Sequence, residues 1–302
     1  MSMKEDILQL KKDKNAIILA HYYVDGDVQD VADFVGDSFA LAKKAKETSA
    51  QIIVFAGVRF MGESAKILNP DKKVLMPDLN ADCPMAHMAA VSNIRKMRQE
   101  IEDLAVVCYV NSTAELKTLS DVCVTSSNAV KIVKELPQKN IYFIPDQHLA
   151  SFVKEQVPEK NVILNDGYCI THHRMTKEDV LQAKEKHPDA LVLVHPECKK
   201  EVVDLADYAG STAGILQYAT DSENKEFIIG TEMGVLYKLK KQNPDKTFYS
   251  MSDKLICTNM KKVTLDKVYD VLLHEKNEIQ LDTETMLHAR KAMDAMLEMA
   301  KA

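Results

Sequence analysis

Along the chain, short continuous runs of aliphatic and β-branched residues alternate with longer stretches whose apolar positions recur at helical spacing. A continuous apolar run reads as a strand buried on both faces. Such strands alternating with amphipathic helices read as a parallel sheet covered on both sides. Three of the runs, AIILAHYY (16–23), LAVVCYVN (104–111) and ALVLVHPE (190–197), break off into polar residues and open similar blocks. With His21, Tyr109 and His195 in register, at offsets of 88 and 86 residues, further positions align without gaps. Val28, Leu116 and Val202 coincide, as do Val31, Leu119 and Leu205, and Asp33, Asp121 and Asp207. A hydroxyl residue (Ser38, Ser126 or Thr212) follows each marker by 17 residues, and Cys83, Cys169 and Cys257 follow by 62, 60 and 62. Coincidences this numerous in one register define an internal triplication.

Each block reads as strand, helix, short strand (DFVGDS, DVCVTSS, DYAGST), helix, strand (IIVFAG, IYFIPD, FIIGTE), helix and a last strand ending at a cysteine. The expected fold is α/β: three pseudo-threefold-related αβα sandwich domains with four-stranded parallel sheets around a central active site. The expected boundaries are 1–84, 85–170 and 171–261. A tail, 262–302, closes the assembly with a helix that packs through Met286, Ala289, Met293, Met296 and Leu297.

Composition narrows the class without naming a function. The 302 residues are 46% apolar with a net charge of −6, which is ample for large cores and carries no basic footprint for nucleic acid. The opening MSMKEDILQLKKDK has no apolar signal region, and no apolar run approaches the roughly 18 residues of a membrane span. The expectation is a cytoplasmic protein without nucleic-acid or membrane partners. Its six cysteines are then reduced, and ligand or catalytic roles outrank disulfides.

Ligands in parallel αβα layers bind beyond the carboxyl ends of the strands, and the repeat delivers three kinds of group there. Ser38, Ser126 and Thr212 each open a helix, as plain caps, as anion sites or as both. His21, Tyr22, Tyr23, Tyr109, Asn111, His195 and Glu197 end the first strands; single strand-end histidines are often structural, but a cluster from all three blocks suits proton transfer. The repeated aspartates precede the short strands and read as structural. Cys83, Cys169 and Cys257 converge as three thiols without a fourth, which is poor for structural zinc and suits an iron–sulfur cluster with one open iron. Cys108 and Cys123 sit in apolar strand runs as core residues, and Cys198, next to Glu197, is left without an assigned role.

LAHYYVDGDVQDVADFVGDS, MPDLNADCPMA, CYVNSTAELK, CVTSSNAVKIV, HPEC, GSTAGI and CTNMKK together resemble the quinolinate synthase family, from about residue 16 to the tail. The resemblance implies three αβα domains and a [4Fe–4S] cluster on Cys83, Cys169 and Cys257. It implies condensation of iminoaspartate with dihydroxyacetone phosphate to quinolinate, phosphate and water, a step towards NAD. It maps a substrate site onto His21, Tyr23, Ser38, Tyr109, Asn111, Ser126, His195, Glu197 and Thr212. It adds His172, three residues past the second cysteine, with His173 the weaker choice. Tyr23, Tyr109, Glu197, His195 and His172 are the expected proton-transfer groups, Glu197 as main base. Some members carry extra cysteines near the third ligand; ICTNMKK has only Cys257, so no thiol switch is carried over. An upstream aspartate oxidase is a candidate partner. The competing readings are another iron–sulfur hydro-lyase with the same open iron and a non-enzymatic small-anion binding protein.

Overall fold

The structure is a computed structural model that describes residues 2–301; Met1 and Ala302, the outer ends of the first and last expected segments, lie outside the described residues. It contains three four-stranded parallel sheets flanked by helices. The first holds β1 (Ala16–His21), β2 (Phe34–Gly36), β3 (Ile52–Ala56) and β4 (Lys73–Leu75). The second holds β5 (Leu104–Tyr109), β6 (Val122–Val124), β7 (Asn140–Ile144) and β8 (Asn161–Leu164). The third holds β9 (Leu191–Val194), β10 (Tyr208–Ala209), β11 (Glu226–Gly230) and β12 (Thr247–Ser250). The spatial orders β2-β1-β3-β4, β6-β5-β7-β8 and β10-β9-β11-β12 are the same order repeated.

These strands are continuous apolar runs because helices cover both faces of each sheet. Every residue of β3 is buried, and in the third sheet alternate residues feed two separate cores: Val192, Val194 and Ile228 on one face, Leu193, Phe227 and Ile229 on the other. The cores of the first two sheets merge with each other and with the C-terminal helices.

The repeated aspartates explain how the short strands start. Asp33, Asp121 and Asp207 each accept a hydrogen bond from the central strand, from Ile18, Val106 and Val192 N–H at 2.8, 2.7 and 2.7 Å. Each returns its own N–H to the carbonyl of that same residue at 2.9, 3.0 and 2.9 Å. One side chain thus continues the ladder past the end of a two- or three-residue strand.

The tail helix Thr283–Met299 buries Ala289, Ala292, Met293, Met296 and Leu297 against elements of the first two sheets' layers, with Met286 half-buried at the edge. The chain also opens with a helix, Met3–Asp13, started by a capping box between Ser2 and Glu5. Among the described residues no helix is long and apolar enough to cross a membrane.

Candidate active site

The first strands deliver their polar ends to one cavity. It is lined by His21 and Tyr23 after β1, Tyr109 and Asn111 after β5, and His195 and Glu197 after β9. Ser38, Ser126, Thr212 and the thiols Cys83, Cys169 and Cys257 line it too. The site residues that the resemblance implies, His172 included, are therefore all brought together; Tyr22 of the expected strand-end cluster is not, and packs against the third sheet's core instead.

The cysteines do not close the last strands, as the sequence reading expected. They ride on loops 8, 5 and 7 residues beyond the ends of β4, β8 and β12. Largely polar stretches follow those strands, with a proline, Pro77, after β4 alone, and the chain turns back to bond the loop after the third strand. The N–H groups of Arg59, Gln147 and Met233 donate to Ala81, Gly167 and Leu255 at 2.8, 2.7 and 2.9 Å. Each acceptor stands two residues before its cysteine, so all three loops are anchored alike. The hydroxyl set also differs in detail. Ser38 and Thr212 are first residues of ten-residue helices whose capping side chains are Asp37 and Ser211. Ser126 lies in a turn, because Asn128 bonds back to the Thr125 N–H and delays that helix to Ala129.

The geometry around Glu197 is tight. Its Oε2 lies 2.7 Å from Nδ1 of His172 and 3.7 Å from Nδ1 of His195, and all three side chains are almost wholly buried. Burial pushes this carboxyl up, but His195, His172 and Tyr109 outweigh it and hold Glu197 below the usual carboxylate range. A carboxylate only accepts, so Nδ1 of His172 carries the proton and Nε2 accepts from Thr231, 2.9 Å away. Thr231 then receives the Tyr23 hydroxyl at 2.7 Å, and Tyr23 in turn accepts from Thr212 at 2.8 Å. The result is one directed chain of donors running from Thr212 to Glu197. Burial, then the charge of Glu197, raises both Tyr23 and Tyr109 well above the ordinary phenol value.

His21 and His195 play matching parts. In each, Nδ1 accepts the backbone N–H two residues on, from Tyr23 and Glu197 at 3.2 Å. That leaves Nε2 as the donor, and in His195 it faces Ser126 Oγ at 3.2 Å. Burial lowers His21 to about 3 and His195 to about 4, so both are neutral donors at physiological pH. Asn111 reaches Glu197 at 3.5 Å with its amide nitrogen, and its buried Oδ1 has no partner. That acceptor suits a ligand donor.

The donor set fits a bound metal centre. Ligand atoms of Cys169, His172 and Glu197 lie within 4.8 Å of one another. The three site thiols crowd each other electrostatically: burial and its neighbours push Cys83 up to about 12 and Cys169 well above the ordinary thiol value. Against this, the backbone N–H three residues on (Ala86, His172 and Met260) turns towards each sulfur, which favours thiolate. Clustered, half-buried thiols with N–H groups aimed at sulfur want a positive centre between them. Cys108, Cys123 and Cys198 lie in the cores, away from the cavity lining, with Cys108 and Cys123 paired across β5 and β6. His173 also stays out of the lining, bonded to His148 at 2.8 Å and stacked on Tyr168.

Sequence reasoning missed Thr231 and Glu232. Both follow β11 in the run FIIGTE, where the other blocks carry Gly57–Val58 and Pro145–Asp146. A reading built on residues shared by all blocks passes over the hydroxyl that only one block has.

Fold and site together define an α/β enzyme with a buried acid–base relay beside a thiol-lined metal-binding position. Comparison with known proteins gives the family. The model of "NadA: Quinolinate synthetase A protein" matches residues 5–298. The chain is 56% identical to the quinolinate synthase of Caldicellulosiruptor bescii, with 98% of each chain covered, and 52% identical to that of Fusobacterium nucleatum, with 99% of each covered. It is 50% identical to that of Clostridioides difficile, over 98% of this chain and 96% of the relative. The chain belongs to the quinolinate synthase family.

Proposed function

We propose that this enzyme condenses iminoaspartate with dihydroxyacetone phosphate to give quinolinate, inorganic phosphate and water, a step towards NAD in the cytoplasm. The observation that carries the reading is the convergence of Cys83, Cys169 and Cys257 on the cavity that holds the Tyr23–Thr231–His172–Glu197 chain. Atoms balance with loss of phosphate and two waters and without an oxidant, so the reaction calls for proton transfers and a Lewis acid. A [4Fe–4S] cluster on the three cysteines leaves one iron without a protein thiolate and supplies that Lewis acidity.

The chain's own residues supply the rest. Ser38 and Thr212 stand in the first turns of ten-residue helices, where free N–H groups and the dipole hold carboxylate or phosphate. Ser126, with the Nε2–H of His195 beside it, His21 and Asn111 complete the binding of anionic and carbonyl groups. Glu197 acts as main base: a proton taken near Thr212 or Tyr23 passes through Thr231 to His172, whose Nδ1 proton moves to Glu197. Tyr109, beside Glu197, orients or protonates the triose-derived oxygens.

The repeated strand order supports a triplicated unit about a pseudo-threefold axis, with units near 1–84, 85–170 and 171–261. An aspartate oxidase that generates the unstable imine is the proposed upstream partner. The test is anaerobic purification with iron and sulfide counting, followed by a quinolinate assay. About four of each per chain and product from both substrates support the reading; a metal-free protein or a different product overturns it.

A further inference from the structure

The geometry points to Glu232 and Lys261 as positioning residues that lock the loop of Cys257 to the backbone of Tyr23. This deepens the proposed function and rests on it. Glu232 is fully buried two residues after β11, and both carboxylate oxygens are in use. Oε1 accepts the Cys257 N–H at 3.1 Å and the Lys261 ammonium at 3.3 Å, while Oε2 accepts the Gly234 N–H at 2.7 Å. Lys261, four residues past Cys257, reaches across to the first sheet's loop. Its Nζ donates to the Tyr23 carbonyl at 2.9 Å and pairs with Asp25 at 3.1 Å.

One carboxylate and one ammonium therefore join the third thiol loop to the tyrosine of the relay. The contact has no slack. A Cβ at Gly234 would stand 2.7 Å from the Tyr23 carbonyl oxygen and 2.8 Å from Glu232 Oε2. On the other side, Gln29 Nε2 donates to Tyr22, Val24 and Gly234 carbonyls at 3.0, 2.9 and 3.2 Å. The second thiol loop has only half of this device. Asp146 accepts the Cys169 N–H at 3.1 Å but pairs with no lysine or arginine among the described residues. The second loop carries His172 of the relay itself, its Nδ1 3.1 Å from the Cys169 sulfur, whereas the third loop reaches the relay through the Glu232–Lys261 pair.

Displacement of a reacting group by about an ångström costs up to about a hundredfold in rate. Lys261→Met should therefore lower kcat about ten- to a hundredfold with KM little changed, since the lysine touches backbone rather than ligand. Lys261→Arg should recover part of the loss. Glu232→Gln combined with Lys261→Met should be no slower than the worse single variant, because both break one link. Charge gives a readout apart from turnover. Removing the buried carboxylate should raise the midpoint potential of the bound cluster in an EPR-monitored titration, and removing the ammonium should lower it. If Glu232→Gln does not assemble, the two Lys261 variants decide. Wild-type kcat in Lys261→Met, multiplicative losses in the double variant, or an unmoved potential overturns the interlock. Should the unaltered protein make no quinolinate, the function fails, while the opposed potential shifts still report on the link between Glu232, Lys261 and Cys257.

Discussion

The hydroxyls of Thr231 and Tyr23 lie 2.7 Å apart, and Thr231 also stands 2.9 Å from Nε2 of His172. A single buried hydroxyl thus joins a residue of the first block to one that follows the second block's cysteine. The Tyr23 and His172 rings are neighbours, with centroids 6.3 Å apart, and Thr231 is the hydroxyl that bonds both. Thr231→Val keeps shape and removes the bridge, leaving His172 Nε2 without its donor. We expect kcat to fall about a hundredfold with iron content intact, and Thr231→Ser to keep most of the rate. Equal rates in the valine variant and the wild type would remove Thr231 from the relay.

At the far end of the relay, Glu197→Gln keeps volume but gives up the base and exchanges one acceptor oxygen for a donor amide. Tyr109→Phe removes only the phenolic hydroxyl beside it. Both variants should keep the iron–sulfur absorbance and lose most turnover, by about a hundredfold or more. Near-normal quinolinate formation by either one, measured anaerobically, refutes its assignment.

The six cysteines divide by surroundings rather than by number. Cys83, Cys169 and Cys257 line the cavity, whereas Cys108 and Cys123 face each other at registered positions of β5 and β6 inside the core. Changing any of the first three to serine should abolish the brown absorbance of anaerobically purified protein. Cys108→Ser should keep it, since Cys108 sits beside Cys123 and the buried Lys117, away from the cavity lining.

That division was legible in the sequence, because the repeat marks which cysteines share a position. The three sheets were legible for the same reason, since the runs AIILAH, LAVVCY and ALVLV recur with the same sequel. The local route of the chain was not. Cys83 lies eight residues past β4 because a loop must fold back to bond Arg59, and no residue pattern announces that bond. Ser126 sits outside its helix through one side-chain bond from Asn128 to Thr125. Thr231 acts in one block alone and the carboxylate of Glu232 recurs only as Asp146, with Val58 in the first block, so the triplication does not mark them. The opening helix had a signal, Ser2 and Glu5 at capping-box spacing, in a stretch read only for targeting.

Acid should destabilise the metal-free protein through its buried neutral histidines, and His148, away from the cavity lining, is the cleanest probe. Burial first, then His173 and Lys199, lower His148 from 6.5 to about 4. As pH falls below 6.5 the unfolded chain takes up a proton there that the folded chain refuses until about 4. Stability is therefore full above 6.5 and lost progressively between 6.5 and 4. His148→Gln should flatten this part of the profile in thermal melts taken between pH 7 and 4.5, about the window just derived. An unchanged slope would show that His148 is not held neutral.

The repeated aspartates give a stability prediction free of the active site. Asp33 and Asp121 also hold Lys11 and Arg98 at 2.7 and 3.0 Å, so their removal would mix two effects. Asp207 has no ion-pair partner among the described residues, and its carboxylate bonds the Val192 N–H at 2.7 Å. Asp207→Ala leaves that strand N–H without its acceptor just where β10, two residues long, begins to pair with β9. The expected cost is about 1–2 kcal/mol, which for a protein of this size is a drop in Tm of a few degrees. Asp207→Asn retains an acceptor oxygen in the same place and should recover most of it. Both variants should turn over at the wild-type rate per folded molecule, because the residue lies at the entrance of the short strand rather than in the cavity. A loss of rate without a loss of stability would contradict the structural role, and so would an alanine variant that melts with the wild type.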